Sequence, residues 1–265
     1  MPVAFRVAIA LVLTTAAAGV AYWYWLREPL SRPPPPGPAR VEAPATAPSA
    51  PAGPRYPVPA AEMPPKPLPA LRESDVAILE ALSAVMGSDA VRNLLHAEDV
   101  IRHAVATVDN LPRKAYAARL NPVRPPGGLL ATTGSDATLA IAPANAARYA
   151  PYLRVLESVD ASRAAALYTR FYPLFQQAYV DLGYPNGYFN DRLVEVIDNL
   201  AATPQVQGPL KLTVPHVLYE YADPQLEALS AGQKLLLRMG PENAARVKAK
   251  LRDFRARIVA QPPAG

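Results

Sequence analysis

Apolar residues recur at helical spacing along most of the chain beyond residue 70. Val76, Leu79, Leu82 and Met86 form one stripe, with Ser74 placed to cap its start and Gly87 to stop it. Ser88 is placed to cap a second, turn-rich segment through Leu94 and Leu95, and a third helix is predicted over 98–109, ended by Asn110-Leu111-Pro112. Residues 129–133 and 137–141, on either side of Gly134-Ser135-Asp136, allow one small β-hairpin. Pro143 suits the first turn of a helix reaching Glu157. Asp160 caps the next, which runs to Leu182 with Tyr168, Phe171, Phe175 and Ala178 on one stripe. Pro173 lies inside it, where a kink is expected. Gly183-Tyr184-Pro185-Asn186-Gly187 is the strongest turn signal in the chain, residues 188–202 are helical again, and 210–214 read as a short extended segment. Two helices close the chain: one opens at Asp223-Pro224, and Gly240-Pro241 ends it and starts the last, whose stripe is Val247, Leu251, Phe254 and Ile258. There is no internal repeat.

The first 70 residues follow other rules. Residues 7–26 are apolar apart from Thr14, Thr15, Gly19 and the ring tips of Tyr22, Trp23, Tyr24 and Trp25. At 1.5 Å per residue, about 20 residues cross the ~30 Å hydrocarbon core, so this is a single-pass transmembrane candidate. A cleaved signal peptide is the alternative, with Arg6 as its charged region and Gly19-Val20-Ala21 as its cleavage site. The Tyr-Trp-Tyr-Trp run sits where an anchor places its interfacial aromatic belt, which favours the anchor. Counting Arg6 against Arg27, Arg32 and Arg40 would put the linker in the cytoplasm, yet long domains translocate largely regardless of such charges. The soluble part is expected outside the cytoplasm, in the periplasm beside an inner membrane.

Composition sharpens this division. Of 32 prolines, 16 fall within residues 29–70, which hold almost no apolar side chains to bury. Such a stretch reads as a disordered spacer, reaching on the order of 100 Å in polyproline II geometry at about 3.1 Å per residue; a docking strip for a proline-binding partner is the alternative. The expected organisation is an anchor over 1–28, a Pro/Ala-rich linker over 29–70 and one compact, mainly α domain over 71–260. With no cysteine, thiol catalysis and cysteine-ligated metals are excluded. The net charge of +5 is uneven: residues 234–257 hold eight basic side chains against Glu242 and Asp253, whereas 71–233 hold 13 basic and 17 acidic. The basic final helix suits an anionic or partner surface, or complements the acidic remainder of its own domain, which the stripe between its basic residues favours.

Candidate chemistry is sparse. Asp191, Glu195 and Asp198 share a helix face, but one almost opposite the stripe of Leu193, Val196, Ile197, Leu200 and Ala201, where a solvated or salt-bridged face belongs. His96, Asp99 and His103 share a side only if their helix is continuous, and no fourth ligand is evident, so no metal and no cofactor is expected. Leu229-Ser230-Ala231-Gly232-Gln233-Lys234 resembles the signature loop of ATP-binding-cassette ATPases, but there is no phosphate loop and the hexapeptide falls inside the helix expected from Asp223 to Gly240. Nine of 13 tyrosines lie between Tyr149 and Tyr221. The expected recognition surface is Tyr184, Asn186, Tyr188 and Asn190 on the aromatic turn, with Arg246, Lys248, Lys250 and Arg252 on the final helix; no catalytic residue is assigned.

At Tyr172-Pro-Leu-Phe-Gln-Gln-Ala-Tyr179 through Gly183-Tyr-Pro-Asn-Gly-Tyr-Phe-Asn-Asp-Arg192, at 228–243 and at Val105-Ala-Thr-Val-Asp-Asn-Leu-Pro112, the chain resembles the uncharacterised bacterial family called domain of unknown function 3014. The resemblance extends over about residues 74–257. It implies a Gram-negative bacterial protein with an amino-terminal membrane segment and a soluble domain, and it carries no activity with it. Together these readings favour a membrane-anchored envelope binding or scaffolding module. Its partner would be a protein or anionic envelope component, with no nucleic acid. The alternative is a cell-wall-acting hydrolase with Asp191, Glu195, Asp198 or Glu220 as acid or base.

Overall fold

The computed structural model describes residues 53–58, 67–115 and 117–259. The apolar span 7–26 and most of the spacer lie outside the described residues. Among the described residues no helix is long and apolar enough to cross a membrane. They form nine α-helices: α1 (Asp75–Met86), α2 (Ser88–Leu94), α3 (Val100–Asn110), α4 (Ala150–Ser158), α5 (Ala161–Asp181), α6 (Phe189–Ala201), α7 (Pro224–Glu227), α8 (Ala231–Arg238) and α9 (Pro241–Ile258). The short strands β1 (Thr132–Thr133), β2 (Ala140–Ile141), β3 (Leu212–Thr213) and β4 (Glu220–Tyr221) complete a mainly helical domain.

The longest helix, α5, is the spine. Its buried Ala161, Ala165, Tyr168, Phe171, Leu174 and Ala178 recur every three or four residues, so one face meets α1, α3 and α9. Helix α6 lies against α3 and α9 and adds Phe189, Val194 and Ile197 to the same core as Ile101, Val105 and Ile258. Burying each such side chain contributes about 1.5–3 kcal/mol before conformational entropy is subtracted. The helix remains continuous through Pro173, whose missing N–H leaves the Thr169 carbonyl without its helical donor.

Local end signals work where expected. Asp160 accepts a hydrogen bond from the Arg163 N–H at 2.9 Å, which holds its carboxyl below the usual range, and Asp223 accepts from the Gln225 N–H at 2.8 Å. Gly87 and Gly240 adopt φ of 88° and 86°, the left-handed region that favours glycine where one helix stops and the next begins.

Several expectations are corrected. The Ser74 hydroxyl does not cap α1; it turns back to donate to the Leu71 carbonyl at 2.7 Å. Ser88 is the first residue of α2, with Gly87 in the capping position. Helix α3 starts at Val100, because Leu95 bridges to Val123 and the His96 N–H donates to the Pro122 carbonyl. His96 is therefore off the helix that carries His103. The cap of α3 is remote: the Asp75 carboxylate accepts from the N–H groups of Asp99 and Val100 at 2.8 and 2.9 Å. Residues 224–238 are not one helix, since α7 ends at Glu227 and Ser230 caps α8 in a box with Gln233. Lastly, part of the stretch read as spacer packs on the domain, with Tyr56, Val58 and Leu68 against the core.

The expected hairpin is present, pairing Thr132 with Ile141 and Thr133 with Ala140. A second, β3–β4, pairs Leu212 with Tyr221 and Thr213 with Glu220. Ala140 bridges to Lys211, so the two hairpins adjoin edge to edge over a small core of Leu212, Tyr221 and Leu237.

Candidate functional site

Sequence blocks far apart along the chain meet at the end of α3. The Asp109 side chain there is only 3% exposed. Its Oδ1 lies 3.0 Å from Arg192 Nε; its Oδ2 lies 2.5 Å from Arg113 Nη2 and accepts from the Tyr184 hydroxyl at 3.2 Å. Arg192 also donates to the Asp109 carbonyl at 2.8 Å and to Glu195 at 2.9 Å. Burial alone would lower the Arg192 guanidinium; Glu195 and Asp109 offset this and hold it above its ordinary value. A charge this deep needs such partners, because an unpaired buried carboxylate costs several kcal/mol. Asp109, Arg113 and Arg192 thus lock α3 to the aromatic turn and to α6.

The turn is fastened from both sides. Tyr184 stacks on Tyr179, with ring centroids 4.5 Å apart and planes 15° apart. Gly187 fits beneath them because a Cβ there would lie 2.9 Å from the Tyr179 ring. From α5, Gln176 donates to the Gly187 carbonyl at 2.7 Å and accepts from the Phe189 N–H at 2.8 Å. Of the residues expected to form a recognition surface here, Asn186 is exposed, and Tyr184 and Tyr188 are half-buried. Asn190 is fully buried: it accepts from the Tyr168 hydroxyl at 3.0 Å and donates to the carbonyls of Tyr56 at 2.8 Å and Ile258 at 3.3 Å. It is a structural hinge pin, since a buried amide must satisfy both its ends internally.

The acidic face of α6 is held in the same way. Asp191 accepts two N–H groups, from Arg55 at 2.9 Å and Tyr56 at 2.8 Å. Glu195 pairs with Arg192. Asp198 takes a bidentate pair from Arg255, at 2.7 and 2.9 Å, which holds that guanidinium above its ordinary value. Glu220 stands apart on β4. Among the described residues no group of histidine, aspartate or glutamate is arranged to hold a metal ion.

The final helix turns much of its charge inward. Lys248 is only 6% exposed, and its ammonium donates to the Thr203 carbonyl just past the end of α6 at 2.9 Å. Lys250 donates to the Val159 carbonyl at the end of α4 at 2.8 Å. Cations suit helix C-termini, where carbonyls lack donors. Arg246 lies 3.4 Å from Glu157, while Arg252 is exposed. The four basic residues expected to share a binding face are therefore divided, and Lys248 is removed from it by burial. Val247, Leu251, Phe254 and Ile258 pack into the domain's own core, as the stripe required.

Helix α8 explains the hexapeptide at 229–234. The Ala231 and Gly232 N–H groups donate to the carbonyls of Arg113 and Leu111 at 2.7 and 2.9 Å, and that of Gln233 to the Ser230 hydroxyl. These amides are consumed by the fold, so the helix start has none left for a phosphate. A Cβ on Gly232 would lie 2.5 Å from Leu200 Cδ2 and 3.2 Å from Leu111 Cβ. The glycine is there for close packing.

The hairpin layer carries several exposed apolar side chains; Val76 on α1 and Leu182 after α5 are others. Val217 is 91% and Leu218 76% exposed, flanked by the partly exposed Val214 and Tyr219, on the connection between β3 and β4. At the base of the layer a groove of about 510 Å³ runs between the strands and the start of α9, lined by Ile141, Pro209, Leu210, Leu237 and Met239 with Arg238 in its wall. Tyr221 closes the layer from below, its hydroxyl donating to the Lys234 carbonyl at 3.2 Å. Asp109, Arg113, Gln176 and the 214–219 tip had no mark in the sequence beyond the blocks that contain some of them.

No curated protein and no solved structure matches the chain. The family model described as "Protein of unknown function (DUF3014)" matches residues 100–255, from the start of α3 to the last turn of α9. That range is more than half of the chain, and the chain belongs to this family.

Proposed function

We propose that the protein is a binding or scaffolding module of the cell envelope, held at a membrane by residues 7–26, that presents its β3–β4 tip to a protein partner. The observation that carries this reading is the tip itself. Two large aliphatic side chains, Val217 and Leu218, stand 91% and 76% exposed next to each other on a short, backbone-paired hairpin, and exposed apolar side chains grouped in this way suit an interaction site. Charge narrows the partner's chemistry. Glu220 and Asp223 against Lys211 give residues 211–223 a net charge of −1, which an anionic lipid surface would oppose and a neutral or basic protein surface would accept.

Against the hydrolase alternative, Asp191, Glu195 and Asp198 each hold a structural partner, and a general acid or base needs a carboxyl free to exchange its proton with substrate. Cross-linking with mass spectrometry in intact cells separates the two. Val217→Asp with Leu218→Asp is expected to remove the protein's cross-links to its partner, while Glu195→Gln with Asp198→Asn leaves them. The opposite pattern would overturn the proposal.

A further inference from the structure

A second surface with recognisable chemistry lies between the start of α6 and the end of α9, and its occupant is visible. Residues 53–58 run along it. Tyr56 and Val58 are half-buried against the main core, whereas Pro57 between them and Arg55 beside them are exposed, and the backbone bends at Arg55 and Tyr56. The backbone is gripped at three points: Asp191 Oδ2 accepts the Arg55 N–H at 2.9 Å, Asp191 Oδ1 the Tyr56 N–H at 2.8 Å, and Asn190 Nδ2 donates to the Tyr56 carbonyl at 2.8 Å. Arg255, oriented by Asp198, sits 5.9 Å from the centroid of the Tyr56 ring.

We infer that this cleft is a peptide-recognition site for a bent segment of aromatic–proline–aliphatic pattern, filled in this chain by its own Tyr56-Pro57-Val58. Main-chain hydrogen bonds that ignore sequence supply affinity, and the places taken by the Tyr56 and Val58 side chains supply specificity. Proline contributes twice. Its missing N–H costs nothing at the exposed position 57, and its fixed φ, with the restriction it places on Tyr56, reduces the ordering entropy of the bound segment. The two carboxylate oxygens of Asp191 select backbone rather than side chain, so any segment that displaces the resident one must offer two consecutive N–H groups ahead of its proline. This surface is separate from the hairpin tip, and the inference stands without the reading given to the tip.

The test uses the full chain and a labelled synthetic peptide of residues 53–58. In the wild-type chain the resident segment competes at an effective concentration on the order of millimolar, so added peptide binds poorly. Tyr56→Ala with Val58→Ala vacates the cleft; the peptide is then expected to bind at least about tenfold more tightly, and adding Asp191→Ala is expected to remove that gain. Hydrogen exchange supplies a second readout: the Arg55 and Tyr56 amides exchange slowly in the wild type and at least about tenfold faster with Asp191→Ala, while amides of α6 stay protected as the control for folding. No gain on vacating the cleft, a gain indifferent to Asp191, or wild-type Arg55 and Tyr56 amides exchanging as in free chain would each overturn the inference.

Discussion

Arg192 places its Nε 3.0 Å from the Oδ1 of Asp109, and a second guanidinium nitrogen 2.8 Å from that residue's own carbonyl. One side chain thereby satisfies both a buried charge and an orphan carbonyl at the end of α3. Replacing Arg192 by Met keeps most of its apolar stem and leaves Asp109 with only Arg113 and Tyr184. Removing one partner of a buried ion pair costs about 3–5 kcal/mol, and the remaining contacts place this loss near the lower figure. Urea unfolding of the variant is expected to show a lower midpoint at unchanged slope. A stability within about 0.5 kcal/mol of wild type, the usual range for exposed substitutions, would contradict the lock.

Gly232 is predicted to be intolerant of the smallest side chain. Alanine ordinarily favours a helix over glycine by about 1 kcal/mol, yet here its Cβ would meet Leu200 and the backbone of Leu111. Overpacking of that kind costs about 1–3 kcal/mol, so Gly232→Ala is expected to lower the thermal midpoint. An increase would mean that α8 and the 111–113 loop have room to separate.

Alkaline pH should destabilise the domain through its buried tyrosines. Burial pushes the Tyr221 hydroxyl up to about 12, and burial raises Tyr168 as well. In the unfolded chain a tyrosine ionises near pH 10, so above that the unfolded state sheds protons that the folded state retains. The stabilisation is complete below about pH 10 and is lost as pH rises through the folded value near 12. Thermal midpoints followed over this window should fall, and fall less in Tyr221→Phe. An equal decline in both would remove Tyr221 as a cause.

Asp75 is expected to act on a helix other than its own. Its carboxylate caps α3 through the N–H groups of Asp99 and Val100. Asp75→Ala should cost about 0.5–2 kcal/mol and speed hydrogen exchange over the first turn of α3 more than over α1. Exchange that rises only in α1 would contradict this.

The parts of the fold that were legible in sequence are those decided within a few residues. Asp160, Asp223-Pro224 and Gly240-Pro241 mark helix ends because capping and left-handed φ are local backbone matters. Ser230 and Gln233 carried an equally local capping box, which the apolar run after Asp223 concealed. What was not legible depends on residues distant in sequence. Asp191 reaches back to residues 55 and 56, Arg192 to Asp109, and Lys248 to Thr203. Charge on a helical wheel marks a polar face without saying whether water, a partner or the chain's own carbonyls will meet it. For that reason Lys248 and Asn190 looked available and are buried.

A photo-cross-linking side chain introduced at Leu218 in the full-length protein in living cells tests the β3–β4 tip as the docking surface most directly. A discrete protein adduct at position 218 is expected, one that disappears when Val217→Asp is added, with no such adduct from the same group placed at the exposed Asn186. Adducts at 186 with none at 218, or an adduct at 218 that survives Val217→Asp, would contradict it.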